Sequence, residues 1–485
     1  MPSLLLTCVA ATIAQTPSFS HSRFLPERRD AYQQYERSLN AVPDPAQLRA
    51  HHELLADEPH VAGTEGDHRT IADLETYFRG LGLNVETQWL KVYLSRPISA
   101  EVSIINDNAP PTLLGTTEPA IDEDPSTRDP RLTIAWNAYS GSGDITANVI
   151  YANRGTKEDF DTLKKAGIDC TGKVIITRYG GNFRGYKAKF AEEAGAAALI
   201  IYTDPADSGY MRGPMYPQGG WSTASQVQCG SIMTLDRAGD PLTPFVAATE
   251  ELLDNERLTP DQVGLPNIPV QPMGWEAVQQ IMQRMHGRAV ADTEGCDKWQ
   301  GGLPLPYRIE GGPALKVRVN VQQERGFQRT ANVVATLKGA KFPDEKIIIG
   351  CHHDAWAFGA CDPLCGTILV LESARSFAQL AKAGSPPDRS ILFACWGAEE
   401  FGIIGSTEWV EGHYDDLTKN AIAYINLDMA TMGDKFWASA APSLKSLIID
   451  AAKDVPHCRQ PDATRQDISV YAEWLWRSGT TDKPA

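Results

Sequence analysis

Three short apolar runs, each ending at once in acidic or imidazole side chains, limit what this chain can fold into. The first is Ile347-Ile348-Ile349, followed by His352, Asp354 and, across a Gly-containing loop, Asp362. A continuous β-branched run suits a strand buried on both faces of a parallel sheet. The second, Ile391 to Trp396, leads into Glu399 and Glu400; the third, Ala423 to Leu427, leads into Asp428. Functional groups in open α/β sheets collect at the carboxyl ends of strands. His-x-Asp fits that place, because an imidazole can bind a metal while a nearby carboxylate fixes its tautomer.

Between these runs the pattern is helical. Leu371, Ala374, Ala378 and Ala381 mark one face of a helix over 367–383, and further helices are expected at 405–412 and 444–453. Alternation of helices with short apolar strands predicts a layered α/β domain with a mostly parallel sheet. Upstream, Leu48, Leu54 and Leu55 anchor a helix. His60-Val-Ala-Gly-Thr-Glu reads as a turn, and Ile71, Leu74, Phe78 and Leu81 form one face of a second helix. Residues 84–106 alternate as one or two strands, and 107–130 shift to a Pro/Asp/Glu/Thr surface loop. A compact βαβ unit follows, with strands at 173–178 and 197–202 around a helix at 186–195. Regular structure should be sparse over 205–275, before a helix at 275–285 and separate strands at 315–321 and 332–337.

Carboxylates gathered at one sheet edge repel one another unless protons or cations intervene. Two divalent metals are the economical answer, and one His with several carboxylates suits zinc. Adjacent Glu399 and Glu400 diverge in an extended segment. In a loop one can bind metal while the other takes a proton from water, and the residues alone do not say which. The formal charge of −16, from 45 Lys/Arg and 61 Asp/Glu, argues against nucleic acid as partner. No apolar run reaches membrane-spanning length. Residues 4–14 look like the apolar core of a secretory signal lacking its basic flank, so secretion is expected. The nine scattered cysteines are no disulfide framework, and Cys361-x-x-x-Cys365 lacks the second pair a zinc finger needs.

The segments His352-His-Asp-Ala-Trp-Ala-Phe-Gly-Ala-Cys-Asp-Pro, Trp396-Gly-Ala-Glu-Glu-Phe-Gly-Ile-Ile-Gly-Ser-Thr-Glu-Trp and Tyr424-Ile-Asn-Leu-Asp resemble the glutamate carboxypeptidase II family of co-catalytic zinc metallopeptidases. His60-Val-Ala-Gly-Thr-Glu, Gly239-Asp-Pro-Leu-Thr-Pro and Gly264-Leu-Pro-Asn-Ile-Pro-Val are also similar, in the same order. The resemblance implies a mixed, mostly parallel α/β peptidase domain over 45–95 plus 327–485, after a signal and lead-in over 1–44. An apical domain of protease-associated type would be inserted at 96–326. By the same resemblance His352 and Asp428 would bind one zinc, Asp362 would bridge two, and Glu400 would bind the second. Glu399 would be the general base of peptide hydrolysis, and Asp354 would orient His352. A calcium would sit between Glu408, Glu411, Thr243 and Val246.

The resemblance further implies a peptide substrate, small or acidic, and a homodimer in a full-length form. The family's final zinc ligand, a His, should lie about a hundred residues beyond Asp428, whereas 57 residues follow it here; the chain therefore reads as a fragment. His413 and His457 do not match that segment. By the resemblance, the family positions that hold an Arg and an Asn for a glutamate side chain correspond to Thr156 and Ser231 here, and a further Arg of the family aligns near Ala438. These departures leave aminopeptidase activity open. A non-catalytic binding module of the transferrin-receptor kind predicts damaged ligands, whereas every ligand position the chain reaches is intact.

Overall fold

In the computed structural model, residues 26–132, 134–458 and 468–481 are described. The Leu4–Ala14 segment lies outside them. Within the lead-in expected over 1–44, α1 spans Pro26–Asn40. Its half-buried Tyr35 and Leu39 are i,i+4 neighbours in an otherwise charged segment, too sparse a stripe to read in sequence. Helices α2 (Pro45–Leu55) and α3 (Glu65–Gly80) follow. Thr64 caps α3 by accepting from the Asp67 N–H, and Ile71, Leu74 and Phe78 are buried as expected.

The spine is an antiparallel ribbon of two 22-residue strands, β1 (Asn84–Ile105) and β9 (Lys316–Leu337). The two strands expected at 315–321 and 332–337 are thus one. The polar stretch Gln322–Arg329 hid the continuity, because there β9 is held by pairing with β1 and not by an apolar face. Residues 95 and 326, the expected domain edges, lie almost opposite each other in this ribbon, which passes unbroken from one half to the other.

Along one edge of β9 two parallel sheets attach. At its amino end come β4 (Gly143–Tyr151), β5 (Val174–Arg178), β6 (Ala198–Tyr202) and β8 (Val270–Met273), with short β2 (Thr112–Leu114) on β1; a separate pair joins β3 (Asn137–Ala138) to β7 (Gly230–Ser231). Helices α4 (Lys157–Lys165), α5 (Arg184–Glu193) and α6 (Trp275–Met282) belong to this apical half. At its carboxyl end come β11 (Arg389–Trp396), β10 (Phe342–His352) and β12 (Ala421–Asn426), these three mutually parallel. Helices α7 (Leu364–Lys382), α8 (Ile404–Gly412), α9 (Tyr414–Asn420), α10 (Lys445–Asp454) and α11 (Val470–Arg477) accompany them. The architecture is a mixed α/β fold with a mostly parallel sheet. Among the described residues no helix is long and apolar enough to cross a membrane.

Each half has its own core. Ile175, Ile176, Leu199 and Ile200 centre the apical one, and Phe78, Val333, Leu371 and Phe393 the other. A third cluster closes the seam, where Trp136 meets Trp356 edge-on with ring centroids 5.1 Å apart and Trp356 meets Phe401 at 5.0 Å. Such pairs add about 0.5–1.5 kcal/mol each beyond burial. Double burial of Ile347–Ile349 holds only for Ile348; its neighbours are half-buried. The cause is β12, which ends the sheet among the described residues with Ile422 and Tyr424 exposed.

Candidate functional site

The three predicted strand ends converge. His352, 2% exposed, closes β10 and points Nε2 at Asp362 Oδ1 (3.2 Å), Asp428 Oδ1 (3.3 Å) and Glu399 Oε2 (3.9 Å). Its Nδ1 lies 3.0 Å from the Asp354 carbonyl oxygen and 3.5 Å from Asp354 Oδ1. Thr367 Oγ1 donates to the His352 carbonyl at 2.6 Å and fixes the strand end to α7. Asp428 arrives because α7 approaches β12 closely: a Cβ at Gly366 would stand 1.8 Å from the Leu427 carbonyl oxygen.

Asp354, fully buried, accepts the Glu399 N–H at 2.8 Å and the Glu400 N–H at 3.3 Å, tying the loop after β10 to the turn after β11. That turn is sharp, with Ala398 at φ 53°, and Asn332 holds it by accepting the Gly397 N–H (3.2 Å) and donating to the Gly405 carbonyl (2.8 Å). Because the segment is bent, the two adjacent glutamates need not diverge. Glu399 faces His352, while both line one cavity.

The electrostatics follow from crowding. Burial pushes Glu399 up from 4.5 to about 7, and the charges of Asp354, Asp428 and Asp362 add to it, against the lowering effect of His352. Burial and then Asp362 push Glu400 to about 9. Burial opposes charge on His352, but Asp354, Asp362 and Asp428 outweigh it and hold the imidazole well above its usual 6.5. Asp354 sits below its usual value despite burial, because His352 lies beside it. His352 Nε2 and Asp428 Oδ1 are buried without a hydrogen-bond partner. Unsatisfied buried donors and acceptors are rare in native proteins and point to something that occupies the space between them. Among the described residues His352, Asp362 and Asp428 bring one ligand atom each within 4.8 Å of one another, the donor set of a divalent-metal site.

The calcium candidates also meet. Glu408, fully buried on α8, accepts the Asp240 N–H through Oε1 (2.7 Å) and the Ala248 N–H through Oε2 (2.7 Å), with Thr243 Oγ1 at 3.5 Å. Glu411 Oε1 accepts the Phe245 N–H at 2.9 Å, while Oε2 is buried without a partner. Burial lifts Glu408 to about 8. Val246 lies in the same turn, its N–H bonded to the Thr243 carbonyl, and its side chain is exposed.

His413 and His457 are engaged elsewhere. The first stacks on Trp409 and its Nδ1 meets the Trp409 carbonyl (2.8 Å); the second contacts the Asp434 carbonyl (2.7 Å). Thr156 caps α4 and does not line the cavity, and neither does Ala438; Ser231 does. Two cations that sequence reasoning missed, Arg184 and Arg237, line the cavity; Arg237 donates to the Pro241 carbonyl at 3.2 Å, and Arg184 is the one beside Ser231. It opens α5 after Gly180-Gly181, two residues before the expected helix start, in a cavity of about 500 Å³ that also includes Phe183, Met233, Ile403 and the two glutamates. Its Nε is buried without a partner. A single Arg at a helix start carries no periodic signal that sequence alone could have used.

The fold is thus a mixed α/β sheet with a candidate imidazole–carboxylate metal site at its carboxyl edge and an apical half that shares the cavity. Residues 332–473 match Peptidase family M28, and residues 141–236 match the PA domain. These two matches place an M28 peptidase region and a PA domain in the chain. It is 36% identical over 440 residues to a glutamate carboxypeptidase 2 homolog of Caenorhabditis briggsae, covering 87% of this chain and 56% of that protein. It is 32% identical over 453 residues to the aminopeptidase NAALADL1 of Rattus norvegicus, covering 89% and 58%. The chain thus spans little more than half the length of these relatives. A Peptidase M28 precursor from Shewanella amazonensis shares the fold, with a TM-score of 0.56, 19% identity and coverage of 87% and 80%.

Proposed function

We propose that this chain supplies the zinc-binding and base residues of an exopeptidase acting on short peptides with a free carboxylate. The observation that carries the reading is the cluster of His352, Asp362 and Asp428, with two of its ligand atoms buried and unpartnered. His352 and Asp428 would hold one zinc, Asp362 would face both metals, and Glu400, on which Asp362 acts more strongly than any other charge, would hold the second. Zinc, when bound, polarises the scissile carbonyl and acidifies water. Glu399 takes the proton from the attacking water and returns it to the leaving amine; a carboxyl near 7 suits both transfers. Asp354 keeps His352 in the tautomer whose Nε2 is free to ligate. The calcium reading rests on Glu411 Oε2, buried without a partner on the same helix as Glu408.

Arg184, which lines the same cavity as Glu399 and Glu400, favours a substrate carboxylate there, which supports the carboxypeptidase reading over the aminopeptidase one. The test compares an N-acylated dipeptide with an aminoacyl anilide on the zinc-loaded protein. Cleavage of the first, with Arg184→Ala raising KM about 10- to 100-fold, is expected from the loss of a charged hydrogen bond. Preference for the anilide assigns the aminopeptidase reading instead.

A further inference from the structure

We propose that Cys361 and Cys365 form an oxidisable dithiol whose closure to a disulfide by peroxide pulls Asp362 out of the His352 cluster. The two cysteines bracket Asp362 in the turn that enters α7, where the Cys365 N–H donates to the Cys361 carbonyl at 3.3 Å. Cys361 is exposed and Cys365 buried four residues on, and their side chains adjoin across the turn. An exposed thiol backed by a buried one has the spatial order of an attacked and a resolving thiol. Cys351 and Cys395, buried partners across β10 and β11, are walled off from solvent, which confines the chemistry to the outer pair.

The atoms balance. The Cys361 sulfur attacks one peroxide oxygen, forming a sulfenic acid and releasing one water. The Cys365 sulfur then displaces the sulfenic hydroxyl, which leaves as a second water. Two thiols lose two hydrogens and two electrons, and the peroxide is reduced.

Closure has a geometric cost that falls in one place. Residues one helical turn apart hold their Cβ atoms roughly 5–6 Å apart, whereas a disulfide wants about 3.5–4.5 Å. Cys365 cannot give way. It sits in the first turn of α7, next to Gly366, which is pressed against the Leu427 carbonyl, and its own carbonyl accepts from Thr431 Oγ1 at 2.7 Å. The shift therefore falls on 361–363, and Asp362 moves with it. A metal site holds its ligand distances to within about 0.2 Å of their preferred values.

The coupling to metal rests on the zinc reading above; the cross-link does not. Hydrogen peroxide is added to the reduced, zinc-loaded chain, and peptide mass mapping and zinc affinity against a chromogenic chelator are read together. The expected result is a loss of two hydrogens in the peptide holding 361 and 365, with zinc affinity at least about tenfold weaker. Both changes reverse with a dithiol reductant and are absent in Cys361→Ser. In Cys365→Ala the reaction stops at a Cys361 sulfenic acid that dimedone traps. Free thiols at both positions after exposed Cys458 has been oxidised overturn the proposal, as does a cross-link that leaves zinc affinity unchanged. If the reduced chain binds no zinc, the zinc reading and the coupling fall together, while the mass still decides the dithiol.

Discussion

Two clusters of carboxylates lie along this fold, and they are stabilised in opposite ways. At the domain seam Glu408 accepts two backbone N–H groups from the apical segment 240–248, so most of its acceptor capacity is met by protein. At the sheet edge His352, Asp362 and Asp428 turn ligand atoms towards each other and leave two of them unmet. The first arrangement joins two domains; the second is a donor set that a cation fits. Glu408 is fully buried, whereas the Asp362 and Asp428 side chains are 45% and 31% exposed, so burial is not what marks the second cluster; what separates structure from chemistry here is whether backbone amides reach the oxygens.

The largest effect expected from this contrast is at Glu399. Glu399→Gln should lower hydrolysis by about 10²–10⁴-fold while zinc content stays the same, since the base is lost and no ligand of the His352–Asp362–Asp428 triad is. Undiminished turnover sinks the role given to Glu399. Next comes Glu408→Ala, which strands the Asp240 and Ala248 N–H groups and should cost roughly 2–6 kcal/mol at about 1–3 per group, read by denaturant unfolding. A loss no greater than that of a surface substitution would mean the seam does not depend on this carboxylate. Asp354→Asn is expected to weaken zinc about 10- to 100-fold with little change in fold, because it removes the charge that orients His352. If metal affinity survives, the link from the Glu399 and Glu400 N–H groups to His352 is not what positions the ligand.

The smallest effect is a pH slope in the metal-free protein. Glu399, Glu408 and Glu400 are raised from 4.5 to about 7, 8 and 9. A carboxyl raised on folding binds its proton more tightly in the native state. Its stabilisation is therefore complete below 4.5 and is lost as pH climbs through the folded value. Melting temperature of the metal-free chain should fall from about pH 5 to pH 9 and flatten when zinc is added. A melting curve that rises with pH across this window contradicts the assignment of these groups as protonated.

The three strand ends were legible because each carries its own signal: an apolar run followed directly by a ligand-type side chain. Their convergence follows from parallel strand order, which the helix–strand alternation predicts. Other features left no such mark. Gln322–Arg329 continues β9 by backbone pairing alone, and backbone pairing has no side-chain pattern. Arg184 faces the cavity only because the turn after β5 aims it there, and the exposure of β12 depends on what lies beside it. The choice between Glu399 and Glu400 needed a resemblance, since two identical side chains differ only in where a bent turn sends them.

The β1–β9 ribbon bears on how the cleft can move. At about 3.3 Å per residue, each strand runs roughly 70 Å, and it crosses between the two halves without a linker. The two domains are therefore not beads on a string but two loads carried on one beam. Any opening of the cavity between Arg184 and Glu399 has to flex hydrogen-bonded sheet, with the bulge between Pro97 and Ser99 as its natural point of compliance. Access to the site is then set by beam stiffness: stiffening that bulge should slow exchange of bulky peptides while leaving small ones untouched.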